Sequence, residues 1–147
     1  MKNFLCKLIL ILTLSGCQTY GYFINDYPLT LPEIRKAVNV IIGTPKEVSV
    51  NGRELISDYH DRKFEPLDLS NAAKFPDRYT TKVVILGTRR PYEINVMVLL
   101  ERYESQTRSY VYQGVDEDLS RIRAINIKKA LNLSLGKKTG FDGEKPF

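Results

Sequence analysis

One short run of this 147-residue sequence could perform acid–base chemistry, and it reads Asp58-Tyr59-His60-Asp61. A histidine flanked by carboxylates can exchange protons near neutral pH, which is the role of the general base in many hydrolases. Such a hydrolase also needs a nucleophilic serine or cysteine beside the histidine, and no spacing in the sequence places one there. We therefore favour a solvated loop histidine over a hydrolase that uses His60.

Few side chains of the sequence could hold a metal ion. His60 is the only histidine and the only cysteines are Cys6 and Cys17, so a zinc site of Cys and His ligands is not supported. The acidic run Asp116-Glu117-Asp118 lacks the spacing of a calcium loop and suits the start of a helix better. Since glycine-rich phosphate loops and nucleophile-elbow motifs are also missing, we predict no metal, no dissociable cofactor and no enzymatic activity.

Basic side chains are the remaining candidates for contacts with a partner or ligand. Arg89 and Arg90, with Tyr92 close by, fall in a predicted turn, whereas Arg121 and Lys128 fall on one face of a predicted helix. Either group could contact an anionic partner, although an ordinary solvent-exposed surface is the simpler interpretation. The formal net charge of +5 is too modest for a nucleic-acid-binding protein.

The N-terminus has the three parts of a bacterial export signal. Lys2 and Lys7 provide positive charge, residues 8–14 are mostly apolar, and small residues precede Cys17. The apolar run is too short to span a bilayer, which takes about 20 residues. We predict a signal peptide over residues 1–16.

The last four residues of this region, Leu14-Ser15-Gly16-Cys17, resemble the lipobox of bacterial lipoproteins. The resemblance implies a diacylglycerol on the Cys17 thiol, cleavage between Gly16 and Cys17, and acylation of the new amine. Two or three acyl chains on one residue bury enough hydrocarbon for stable anchorage. Gln18 follows, which by the same resemblance implies the outer membrane, with the protein facing the periplasm.

The mature chain divides into a lipidated tether over residues 17–29 and a single domain over residues 30–147. Fully extended, the tether could reach about 40 Å. It is rich in aromatic residues, including Tyr22, Phe23 and Tyr27. These either lie among lipid headgroups or pack on the domain as an extra strand, and we favour the strand.

Local patterns predict an α+β fold, in which an antiparallel sheet of three to five strands packs against an N-terminal and a C-terminal helix. A capping box at Thr30 and Glu33 begins the first helix, and Gly43 ends it. Asn51-Gly52 predicts a hairpin, and residues 58–78 an irregular loop with one helical turn. Strands are predicted over residues 79–86, 92–103 and 109–113. A second helix is predicted over residues 116–135, with Ile122 on its apolar face and Gly136 as its cap.

These predictions favour a membrane-anchored lipoprotein that acts as an accessory interaction module of a larger cell-envelope assembly for secretion, motility or outer-membrane biogenesis. The alternative is a lipoprotein that binds lipid, glycan or peptidoglycan, with the loop over residues 58–78 closing over a cleft. A small envelope hydrolase is the third and weakest hypothesis.

Overall fold

A computed structural model describes residues 20–68, 70 and 75–141 of the chain, and the side chains as far as residue 137. The strands and helices follow one another in the order β1 (Tyr22–Tyr27), α1 (Leu31–Ile42), β2 (Glu47–Val48), β3 (Glu54–Ile56), β4 (Asp77–Leu86), β5 (Tyr92–Glu104), β6 (Ser109–Val115) and α2 (Glu117–Phe141). The predicted α+β fold is confirmed, and the sheet has six strands.

All strand pairs are antiparallel, and the long strand β5 is central to the sheet. One edge of β5 pairs with β4 along ten residues, and β3 and then β2 follow outward. Its other edge is shared, because β1 pairs with residues 92–96 and β6 with residues 99–104. Part of the predicted tether is therefore the strand β1, as the aromatic residues indicated.

The first helix begins and ends where the sequence predicts. The Glu33 carboxylate accepts hydrogen bonds from the backbone N–H and the hydroxyl of Thr30, both at 2.7 Å. This satisfies a backbone donor that would otherwise have no partner at the start of the helix. Gly43 ends the helix at φ 77°, a conformation that glycine adopts without steric strain.

Both helices pack on one face of the sheet, which we call the covered face. Strand side chains alternate between the two faces of a sheet, so that every second residue of β3, β4 and β5 enters the core. The strand contribution is Leu55, Val83, Ile85, Ile94, Val96 and Val98, and the helices add Ile34, Ala37, Val38, Ile42, Ala124, Ile127, Ala130 and Leu131.

The second helix differs from its prediction in length and at one position of its buried face. It continues through Gly136 to Phe141, because a glycine weakens a helix by only about 1 kcal/mol and need not end it. Ile122, predicted to lie in the core, is 45% exposed, while Arg123 is only 7% exposed. No helix among the described residues is both long and apolar enough to cross a bilayer.

Candidate interaction surface

The sheet face opposite the helices, the open face, carries side chains that remain half-buried. Register places Glu54, Lys82, Val84, Asn95 and Met97 there, because each neighbours a core residue along its strand. Other open-face residues, equally half-buried, are Phe23, Ile56, Arg78, Leu99, Glu101 and Val115. The face is therefore a mixed apolar and charged surface on a rigid sheet.

Two ion pairs neutralise cations of the open face. Lys82 Nζ lies 2.5 Å from Glu54 Oε1, and Arg78 Nε lies 2.6 Å from Glu101 Oε2. The Arg78 guanidinium carbon is also 3.8 Å from the ring centroids of both Tyr59 and Tyr110. Since these groups satisfy one another, the centre of the open face presents little uncompensated charge.

The chain enters the domain at the edge of this face. The Tyr20 carbonyl accepts a hydrogen bond from Asn95 Nδ2 at 3.3 Å. Gly21 has φ 100°, and a Cβ there would lie 2.5 Å from Met97 Cγ and 2.6 Å from Asn95 Oδ1. Only glycine fits this close approach, so the backbone of Tyr20 and Gly21 lies directly against the open face.

The predicted basic contacts lie apart in two groups. Arg89 and Arg90 are exposed between β4 and β5, while Tyr92 packs against the core with the Arg53 guanidinium carbon 5.5 Å from its ring centroid. Arg121 and Lys128 are exposed on α2. No hydrogen bond or ion pair among the described residues joins the two groups.

The predicted cleavage site at Gly16 and the lipid attachment site at Cys17 lie outside the described residues, as does most of the helical turn predicted within the loop over 58–78.

His60 is buried, and the interpretation as a solvated loop residue is wrong. The residue is 3% exposed, because it pairs with Tyr79 of β4 and its side chain enters the covered face. Its Nδ1 donates to the Asp61 carbonyl at 2.8 Å, so Nε2 accepts from the Thr81 hydroxyl at 3.0 Å. Burial lowers the pKa of His60, and the positive charge of Arg123 lowers it further.

This arrangement does not resemble a hydrolytic triad. The Asp61 carboxylate accepts from the backbone N–H groups of Lys63 and Glu65, not from the imidazole. Thr81, the hydroxyl beside His60, is wholly buried and also accepts from Arg123 Nε at 3.2 Å. A substrate therefore cannot reach the Thr81 oxygen without a rearrangement of the core.

Sequence reasoning missed Arg123, which takes part in this buried network. Its neighbours Arg121 and Ile122 were assigned to opposite faces of the helix, and Arg123 to neither. The available signal was its helical spacing from Leu119, Ile127 and Leu131, which are all buried.

Within the described part of the chain, no three His, Cys, Asp or Glu side chains are grouped so that they could hold a metal ion. No protein-family model matches the chain, and neither a curated protein nor a solved structure matches it.

Proposed function

We propose that this protein is a lipid-anchored accessory module of a bacterial cell-envelope assembly, and that its open face binds a partner protein at the membrane surface. The observation that carries the proposal is the open face, where apolar side chains surround cations that carboxylates already neutralise. Such a rigid, partly apolar surface suits a protein interface, because contiguous exposed apolar patches mark interaction sites.

The pairing of charges defines the chemistry of the partner. Glu54 and Glu101 already neutralise Lys82 and Arg78, so the partner gains little by supplying opposite charges. Removing a rim charge changes mainly the rate of association, whereas a buried apolar centre contributes most of the affinity. We expect a complementary surface of neutral and apolar side chains.

The anchor limits where the partner can be. Strand β1 takes up residues 22–27 of the predicted tether, and only Gln18 and Thr19 separate Cys17 from Tyr20, the first described residue. Three residue steps span at most about 11 Å. A lipid on Cys17 would therefore hold the edge of the open face close to the bilayer, which favours a partner embedded in or attached to the same membrane.

Site-specific photo-crosslinking tests the interface. A photoreactive residue at Val84 of the full-length, membrane-bound protein is expected to crosslink to one protein of the same membrane. The matched control is Val50, which is fully exposed at the tip of the β2–β3 hairpin and is expected to give no such product. Val84→Glu should abolish co-purification of the crosslinked protein, whereas Val40→Glu, on the exposed side of α1, should not. Equal products from Val84 and Val50 would contradict the proposal.

Mass spectrometry tests the anchor separately. The purified mature protein is expected to begin at Cys17 with the added mass of a diacylglyceryl group and a further acyl chain. Cys17→Ala should leave an unmodified chain that still carries residues 1–16. An unmodified peptide that runs from the wild-type Met1 through Cys17 would remove the lipid anchor from the proposal without affecting the interface.

A further inference from the structure

Arg123 is a cation buried in the covered face. Its side chain extends from α2 and makes one hydrogen bond and one cation–π contact with the described residues. Nε donates to Thr81 Oγ1 at 3.2 Å, and the guanidinium carbon lies 4.1 Å from the ring centroid of Phe64. Burial lowers the pKa of Arg123 to about 10, which still leaves it charged at neutral pH.

No carboxylate within the described part of the chain pairs with Arg123. Nε donates to Thr81 and the guanidinium carbon lies over the Phe64 ring, whereas Nη1 and Nη2 donate to no acceptor among the described residues. Arginine is rarely buried unless a carboxylate or another acceptor pairs with it. The planar edge with two nitrogens matches the two oxygens of a carboxylate.

A pocket of about 180 Å³ lies beside this cation. Ile41, Ile42 and Pro66 provide apolar walls, Phe64, His60 and Arg123 also line the pocket, and Asp58 is exposed at the rim. The volume is that of about six water molecules. It suits a ligand of a few heavy atoms and not a polymer.

Phe64 is held over the pocket by an unusual backbone. Its φ is 68°, a left-handed conformation that bulky side chains seldom adopt. The turn is secured by the Asp61 carboxylate, which accepts from the N–H groups of Lys63 and Glu65. The Phe64 ring lies 5.2 Å from that of His60, so the same turn positions the wall of the pocket and the aromatic contact to Arg123. Strained residues of this kind concentrate at functional sites.

We propose that this pocket binds a small monocarboxylate with a short apolar substituent, with the carboxylate on the Nη1 and Nη2 edge of Arg123 and the substituent against Ile41, Ile42 and Pro66. Two features select against a second negative charge. Asp58 places a carboxylate at the rim, and the C-terminal end of α1, with the partial negative charge of a helix end, contributes to the wall at Gly43. This inference does not depend on the proposed function, because the open face lies on the other side of the sheet.

A purely structural role for Arg123 makes a different prediction. The carbonyl groups at the end of α1 could by themselves stabilise the cation, and the pocket would then bind nothing. Under that hypothesis the charge of an added solute should make no difference to the protein. The experiment therefore compares ligands that differ only in charge.

Calorimetric titration of the purified full-length chain in detergent, with butyrate as the probe, tests the proposal. Butyrate is expected to bind with a dissociation constant of about 1 mM or below, a range open to a ligand of its size. Butyramide, which has the same shape without the charge, and succinate and inorganic phosphate, which carry two charges or nearly two, should each bind at least tenfold more weakly.

Variants locate the binding site. Arg123→Met should weaken butyrate binding at least tenfold, and Arg123→Lys, which keeps the charge but loses the planar edge, should also weaken it. The matched control is Lys129→Met, which removes a cation from the exposed side of the same helix and should leave binding unchanged. If neither Arg123 variant folds, the comparison of butyrate with butyramide on the wild-type chain still decides. Absence of butyrate binding, equal binding of butyramide, or unchanged binding by folded Arg123→Met would overturn the proposal.

Discussion

The two faces of the sheet differ in whether their cations are paired with carboxylates. On the open face, where solvent can screen charge, Lys82 and Arg78 each have a carboxylate within 2.6 Å. On the covered face, where screening is weakest, Arg123 has none among the described residues and bonds only to Thr81. A distribution optimised for stability alone would be the reverse, because an unpaired charge is least favourable where it is buried.

This difference indicates two kinds of surface. The open face is neutral, rigid and accessible over a wide area, which suits a flat macromolecular contact. The covered face hides an unmatched cation beside a small pocket, which suits a small anion. Perturbed and unpaired ionisable groups in pockets often mark functional sites. The following experiments test the comparison, beginning with the largest expected effect.

Adjacent valines of β4 provide the most direct test of the two faces. Val83 has no exposed surface and points to the covered face, while Val84 is half-buried on the open face. Val83→Ala should lower the free energy of unfolding by about 2–3 kcal/mol, because it leaves a cavity in a packed core. Val84→Ala should lower it by less than about 1 kcal/mol. Urea denaturation measures both, and equal losses would mean that the open face is packed as tightly as the core.

The buried network should depend on the Thr81 hydroxyl. Thr81→Val removes the acceptor of Arg123 Nε and the donor to His60 Nε2, which should lower the free energy of unfolding by roughly 1–2 kcal/mol. Thr80→Val is the matched control, because the Thr80 hydroxyl forms no hydrogen bond with the described residues. If both variants are equally stable in thermal or urea denaturation, the network is not formed as described.

The lowered pKa of His60 makes stability depend on pH. The folded protein holds the imidazole neutral, so the unfolded chain takes up the proton first as the pH falls below its ordinary pKa of about 6.5. Stability is therefore full above this pH and declines below it, by at most about 1.4 kcal/mol per pH unit for one proton. Denaturation of the wild type and of His60→Gln from pH 8 to pH 5 should show this decline only in the wild type. A parallel decline in the variant would assign it to other groups.

The smallest effect is expected from the ion pairs of the open face. Glu54→Gln breaks the contact with Lys82, and both side chains are about one-third exposed. Exposed pairs contribute roughly 0.2–1 kcal/mol and weaken in salt. At low salt, the variant should therefore have a slightly smaller free energy of unfolding than the wild type. At high salt, this difference should become smaller, as denaturation at both salt concentrations would show. A loss of several kcal/mol would show that the open face is shielded from solvent.

Structural features that depend on neighbouring residues could be predicted from the sequence. The capping box at Thr30 and Glu33, the hairpin at Asn51-Gly52 and the alternating pattern of β5 each depend on a few consecutive residues. Their physical causes, which are backbone hydrogen bonds at a helix end, tolerance of a tight turn and the two-residue period of a strand, act locally. The first helix, the hairpin and the central strands were therefore predicted close to their observed bounds, and the second helix close to its observed start.

The candidate sites depend on contacts between distant parts of the chain. Residues 60, 81 and 123 meet only because the loop after β3 pairs with β4 and because α2 packs with one particular face toward the sheet. A pattern of apolar residues allowed Ile122 in the core and said nothing of Arg123. Which face of a helix is buried depends on the shape and packing of the elements opposite to it.

By itself, the sequence determined the α+β class and the order of most elements, because periodicity and helix caps depend on consecutive residues, and a short motif predicts the lipid anchor. Only the tertiary structure decided that β1 shortens the tether, that the described residues leave one face of the sheet open, and that Arg123 is buried beside a pocket. Burial and unpaired charge are properties of the packed chain, since they depend on which distant groups exclude water from a side chain.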